Sequence, residues 1–205
     1  MSSSNQSKSR KWTIIVIIAL VIFVVFTWPK PVEREQALEA VQPDLDTAGL
    51  SPEVQAQLMA AYDSIALSFA TVEPIFDRSC YDCHSHRDKL PWYFKMPVVN
   101  GMMRDHISEG REHLDFTGGF PFRGKGNQRE LLNDMKEEID EHKMPLESYL
   151  WMHSDAKLEG PVFDSVMAWI NHSHELIVSV YASNGAPMKE SPEATEHEHE
   201  MGDDD

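Results

Sequence analysis

The chain opens its apolar pattern with a single unbroken block and then settles into stripes at helical spacing. From Trp12 to Trp28 the sequence WTIIVIIALVIFVVFTW carries no charge over 17 residues. At about 1.5 Å per residue a helix of that length spans roughly 25 Å, the short end of a bilayer core. Beyond it, Ser51-Pro52 supplies an N-cap followed by proline at the first helical position. Val54, Leu58, Ala61, Ile65 and Phe69 then recur at three- and four-residue steps, which predicts a helix with one buried stripe. A second helical start, Thr71-Val72-Glu73-Pro74, leads through Ile75 and Phe76 into Cys80. A third helix is predicted from Val98 to about Leu114, interrupted in propensity by Gly101 and Gly110. Asn127-x-x-Glu130 has the form of a capping box and opens a fourth, with Leu131, Leu132, Met135 and Ile139 on its apolar side. The fifth begins at Gly160-Pro161, carries Val162, Phe163, Val166, Trp169, Ile170, Ile177 and Val180, and stops at Asn184-Gly185. No alternating strand of useful length occurs, so the expected class is all-α.

The residues around the apolar block orient it. Lys8, Arg10 and Lys11 precede it and no acid occurs before Glu33, so the N-terminus is expected in the cytoplasm and the remainder outside. A cleaved signal peptide is the competing reading. It is disfavoured because Pro29-Lys30-Pro31 follows, with neither a small-x-small site nor a lipobox cysteine. The expected organisation is a cytoplasmic tail (1–11), a transmembrane anchor (12–28), a stalk rich in Pro, Glu, Gln and Ala (29–50), a helical domain (51–185) and a disordered acidic tail (186–205). The expected location is the cytoplasmic (inner) membrane, single-pass, with the domain facing the periplasm.

Length and charge narrow the function. The chain has 205 residues, enough for one domain with appendages, and 18 Lys+Arg against 34 Asp+Glu give a net charge of −16. Nucleic acid is a poor partner for such a surface. After the apolar block, 15 Lys+Arg face 34 acids, a net charge of −19, so the expected partners are basic proteins.

The chemistry concentrates at the two cysteines, Cys80 and Cys83, which His84 follows in the phrase C-Y-D-C-H. This is the attachment pattern of haem c: two thiols add to the haem vinyl groups and the adjacent imidazole supplies the proximal iron ligand. A thioredoxin-like pair would need a βαβ setting, a zinc site a second ligand pair, and a disulfide across two residues would staple almost nothing. An exported position also suits covalent haem.

Met144, in His142-Lys143-Met144-Pro145, is the leading candidate for the distal ligand, because a loop methionine braced by proline presents its sulfur in a fixed direction. Met96 lies close behind His84 in sequence and would have to wrap too tightly. Met102, Met103 and Met135 fall in predicted helices, where core packing is the default. Histidines 106, 113, 142 and 153 stay open as alternatives, as does a site with no distal ligand. Trp92 and Tyr93 are read as pocket walls or propionate partners, against plain core packing. Arg104 and Arg111 are read as propionate partners, against a solvated helix face. The tail's alternating Glu196 to Glu200 is read as solvated rather than metal-binding.

Several phrases together resemble a known family: CYDCHS at 80–85, PWY at 91–93, the Pro97 segment ending EGREHLDF at 109–116, MPLESYLWMH at 144–153, and a Trp-bearing helix from Leu158 to Ile170. The stretch from about Ile75 to Ile170 looks like the haem-binding domain family of small exported monohaem proteins related to cytochromes c. The resemblance implies a cytochrome c-like helical fold, one haem c on Cys80 and Cys83, His84 as proximal ligand and Met144 as distal ligand. The glycine-rich TGGFPFRGKG at 117–126 departs from the family pattern, which leads one to expect a Trp just after the Phe.

The leading functional expectation is single-electron transfer by a membrane-tethered monohaem cytochrome, with basic redox proteins or membrane oxidoreductases as partners. Two alternatives stand beside it. One is a haem enzyme or gas or redox sensor with an open distal site, peroxidase-like, in which His106 or His113 would serve as acid/base groups. The other is a haem subunit of a larger membrane complex.

Overall fold

Local signals define the helices of the domain. Ser51 Oγ accepts the Val54 amide at 3.4 Å and Pro52 occupies the first helical position, which starts α1 (Pro52–Phe69). The computed structural model describes residues 44–86 and 90–188. After α1 come α2 (Glu73–Ser79), α3 (Tyr81–His84), a 3-10 turn at Trp92–Lys95 and α4 (Pro97–His113). The short strands β1 (Leu114–Asp115) and β2 (Arg123–Gly124) follow, then α5 (Gln128–Asp140), α6 (Glu147–Leu150), a second 3-10 turn at Ser154–Ala156, and α7 (Gly160–Asn184). The domain is mostly helical, as the stripes predict.

Helix α7 is the central packing element, lying against both α1 and α5. Its Val166, Trp169, Ile170, Ile177, Val180 and Tyr181 are buried, as are Val54, Leu58, Ala61, Ile65 and Phe69 of α1 and Leu131, Leu132, Met135 and Ile139 of α5. Val162 and Phe163, expected in the same stripe, pack only partly buried at the edge of the core. The capping box forms as predicted: Asn127 Oδ1 accepts the Arg129 and Glu130 amides, and Glu130 Oε2 accepts the Asn127 amide. Gly185 ends α7 in the left-handed conformation at φ 59°.

The glycine-rich loop is part of the core. Phe116, Phe120 and Phe122 project from it into a cluster with Phe69, Phe76 and Trp169, meeting edge-to-face at centroid distances such as 4.9 Å for Phe116–Phe122 and 5.4 Å for Phe69–Phe122. Buried Gln128 holds the loop in place. Its Oε1 accepts the Phe122 amide and its Nε2 donates to the Phe122 carbonyl, both at 2.8 Å. The loop's ends close as a two-residue antiparallel ladder, Leu114 opposite Gly124 and Asp115 opposite Arg123. A Cβ at position 124, where φ is +151°, would overlap the His113 carbonyl, so only glycine allows this close approach.

Residues 44–50 are bound to the domain, although the sequence reading assigns them to the stalk. Tyr62 Oη donates to the Leu45 carbonyl at 3.2 Å, Tyr181 Oη to Asp46 Oδ2 at 2.7 Å, and Gln128 Nε2 to the Asp44 carbonyl at 3.2 Å. Positions 29–43, the segments expected as cytoplasmic tail (1–11) and anchor (12–28), and the chain from 189 onward lie outside the described residues. Among the described residues no helix is long and apolar enough to cross a membrane.

Truncating the loop's most buried ring checks this reading. Phe122→Ala is expected to lower unfolding free energy by about 3–5 kcal/mol in a denaturant titration, and a loss below about 1 kcal/mol would remove the loop from the core.

Candidate functional site

Helices α2 and α3 break at Cys80, whose backbone leaves the helical region at φ −127° and ψ −37°. Hydrogen bonding continues across the break. The Cys80 amide donates to the Phe76 carbonyl at 2.8 Å, and the Cys83 and His84 amides donate to the Cys80 carbonyl at 3.2 and 3.0 Å. At 3.6 residues per turn, positions 80, 83 and 84 share one side of this turn and Asp82 lies on the other. Tyr81 stacks on Phe116 at 5.7 Å, fastening the turn to the core.

Cys80 and Cys83 are both free thiols. Burial and the neighbouring Cys83 push Cys80 up to about 12, while burial and the Asp82 charge push Cys83 up as well. Both remain protonated at neutral pH. Among the described residues no three His, Cys, Asp or Glu side chains converge on a metal-ion site.

The imidazole of His84 is fixed in both tautomer and direction. Its Nδ1 lies 2.8 Å from the Leu114 carbonyl, which only accepts, so Nδ1 carries the proton and Nε2 keeps its lone pair. Burial lowers its pKa, against opposing contributions from the Leu114 and Gly110 backbone, so the ring is neutral at pH 7. Gly110 lets α4 pass close: a Cβ there would sit 3.3 Å from His84 Cε1. Phe116 meets the ring edge-on at 5.8 Å, and its amide donates to the His84 carbonyl at 2.7 Å. A second-sphere carbonyl on one nitrogen with a lone pair on the other is how proteins prepare histidine for a metal.

Two further segments border this turn. Leu90, Trp92 and Met96 in one, and Leu146, Trp151 and Met152 in the other, are exposed large apolar side chains, with Trp92 at 65% and Trp151 at 79%. Tyr93 Oη and His153 Nε2 are hydrogen-bonded at 2.9 Å, joining the two segments. Apolar surface of this kind suits the faces of a porphyrin.

A family model described as a haem-binding domain matches residues 34–172, more than half of the chain. The chain belongs to the haem-binding domain family. No curated protein and no solved structure matched it. The attachment turn, the prepared imidazole and the apolar borders are features that a bound haem would use.

Within this haem-binding domain the structure brings some of the predicted site residues together and leaves others apart. Cys80, Cys83, His84 and Arg111 are brought together. Arg111 Nε donates to the Cys83 carbonyl at 3.4 Å and Nη1 lies 3.1 Å from His86 Nδ1, so this arginine is at the attachment turn rather than on a solvated face. Arg104 is bound along its own helix, Nε donating to Asn100 Oδ1 at 2.6 Å, while Asn100 holds the Phe94 carbonyl. Trp92 is exposed and Tyr93 is tied to His153. Met144 is half-buried in the loop after α5, where its amide and that of Lys143 donate to the Glu138 carbonyl at 3.0 and 2.9 Å. Met135 is buried in the core, His106, His113 and His142 are exposed, and His153 is engaged by Tyr93.

Gly110, Leu114, Asp82 and Tyr149 escaped the sequence reading. The first two act through a helix-to-ring approach and a main-chain carbonyl, and neither leaves a residue-type signal.

The two glycines of α4 separate space from propensity. A methyl added at Gly101 would meet nothing within 4 Å, so Gly101→Ala is expected to stabilise by about 0.5–1 kcal/mol. Gly110→Val is expected to push His84 off the Leu114 carbonyl and to lower haem content after maturation, measured by the pyridine haemochrome spectrum. Equal haem content in both variants would count against the close packing at Gly110.

Proposed function

We propose that this haem-binding domain is a membrane-anchored monohaem c-type cytochrome that relays single electrons on the periplasmic side. The observation that carries the reading is the His84–Leu114 hydrogen bond on the C-Y-D-C-H turn, which leaves Nε2 directed by a fixed ring. Cys80 and Cys83 would hold the haem through thioether bonds, and Met144 would supply the distal ligand. The bound iron supplies reversible one-electron chemistry, with a thioether ligand favouring the reduced state. His84 keeps its proton on Nδ1, so it stays a neutral donor through the redox cycle. Arg111 brings a positive charge to the Cys83 end of the turn, a suitable partner for a propionate. The exported acidic part would steer a basic redox protein into a short-lived, salt-sensitive encounter, and the anchor at 12–28 would confine that search to the membrane plane.

The haem-matured protein is expected to give a low-spin spectrum with a sulfur-to-iron band in the oxidised state. That band should be lost in Met144→Ala, and reduced wild type should leave carbon monoxide unbound. A high-spin or carbon-monoxide-binding wild type would overturn the sealed carrier and favour the open-site enzyme or sensor. For the anchor, deletion of residues 12–28 is expected to move the haem from the alkali-washed membrane fraction to the soluble one, and retention in the membrane would refute it.

A further inference from the structure

The loop that follows α5 is fixed at two points. At its start, the Lys143 and Met144 amides share the Glu138 carbonyl. Five residues beyond Met144, Tyr149 reaches from α6 to the attachment turn, donating from Oη to Asp82 Oδ2 at 3.0 Å, with the Arg78 carbonyl 3.4 Å away. Asp82 is the second intervening residue of the C-Y-D-C-H phrase, on the opposite side of the turn from the thiols and imidazole, so a bond to it holds the turn from behind. The Tyr149 ring lies nearly parallel to His153, with centroids 4.3 Å apart and planes at 12°. His153 Nε2 in turn is hydrogen-bonded to the Tyr93 hydroxyl at 2.9 Å. One stack and two hydrogen bonds thus join the C-Y-D-C-H turn, the Met144 loop and the Trp92–Lys95 turn. Burial and the Asp82 charge raise the Tyr149 phenol well above its ordinary value, so the proton stays in place to be donated.

We propose that Tyr149 is a positioning residue of the haem site: by bonding Asp82 it locks the loop carrying Met144 to the turn carrying Cys80, Cys83 and His84. This rests on the reading of Met144 as distal ligand. The lock is a hydrogen bond to a carboxylate, among the stronger kinds, and it spans 67 residues of sequence. Its function is to keep the distal loop from swinging away, and so to decide how readily an outside ligand reaches the iron.

The test uses the full haem-matured chain in detergent micelles, comparing wild type with Tyr149→Phe, Asp82→Ala and the double variant. Tyr149→Phe removes one oxygen and leaves the stack on His153. Three readouts apply: the sulfur-to-iron band, the rate of carbon monoxide uptake by the reduced protein, and hydrogen exchange at amides 144–153. Each single variant is expected to weaken the band and to take up carbon monoxide about tenfold faster, and the double variant to go no further than either, because one bond has been removed twice. Single variants matching wild type in all three readouts, or effects that simply add in the double, would overturn the lock. A wild type that lacks the band and takes up carbon monoxide freely would instead overturn Met144 as ligand. The lock is then decided by exchange alone, sustained if amides 144–153 exchange faster in Tyr149→Phe and refuted if they do not.

Discussion

A buried neutral imidazole has one N–H to satisfy and one lone pair to offer, and the identity of the group that takes the proton decides where the lone pair points. In this domain that group is the Leu114 carbonyl. Its position is set by a chain of dependences that runs back into the core. Leu114 lies on β1, opposite Gly124 on β2, and the pair can close because position 124 has no side chain to meet His113. Between the two strands, the Phe116, Phe120 and Phe122 rings are sunk among α1, α2 and α7, and Gln128 bonds both polar groups of Phe122 from the first turn of α5. The direction of one imidazole therefore depends on the packing of the whole domain.

The two sides of the site are built differently. The attachment turn is held by main-chain hydrogen bonds and by rings with little exposure, contacts that open only when the domain opens. The Met144 loop and the Trp92–Lys95 turn are held by half-exposed polar links, Tyr149 to Asp82 and Tyr93 to His153, with apolar side chains directed to solvent around them. Links of that kind are modest in net energy and easily exchanged for water. If haem binds as proposed above, this division puts the firmer packing on the His84 side and the more readily opened links on the Met144 side. It also concentrates functional variation in the loops, where few core contacts constrain it.

What the sequence makes legible follows from range. The five helices could be read because caps, prolines and three- and four-residue stripes act within a turn or two, and Ser51, Asn127 and Gly185 do in the structure what their types suggest. Cys80, Cys83 and His84 stand together in one local phrase, and hydrogen bonds to the Cys80 carbonyl hold them on one turn. TGGFPFRGKG carries no helical or strand period, so nothing in its pattern marks its phenylalanines as core. Residues 44–50 looked like stalk by composition, yet Asp44, Leu45 and Asp46 offer main-chain and carboxylate acceptors to Tyr62, Gln128 and Tyr181. Tyr149 and Asp82 lie on α6 and α3, 67 residues apart, and their meeting depends on how those helices pack.

Membership in a haem-binding family fixes a cofactor and leaves the chemistry open, because a haem protein becomes a carrier, a sensor or an enzyme according to what occupies the distal side. Here the proximal half gives little room for choice: the ring is neutral, oriented and enclosed. The discriminating freedom lies in a single loop of about ten residues between Lys143 and His153, anchored at Glu138 and at Asp82. Acid/base catalysis would require a titratable side chain held over that face. His106, His113 and His142 are exposed, and His153 Nε2 is hydrogen-bonded to the Tyr93 hydroxyl. Under the proposal that Met144 ligates the iron, its thioether would take no part in proton transfer, and the site it closes would exchange electrons alone.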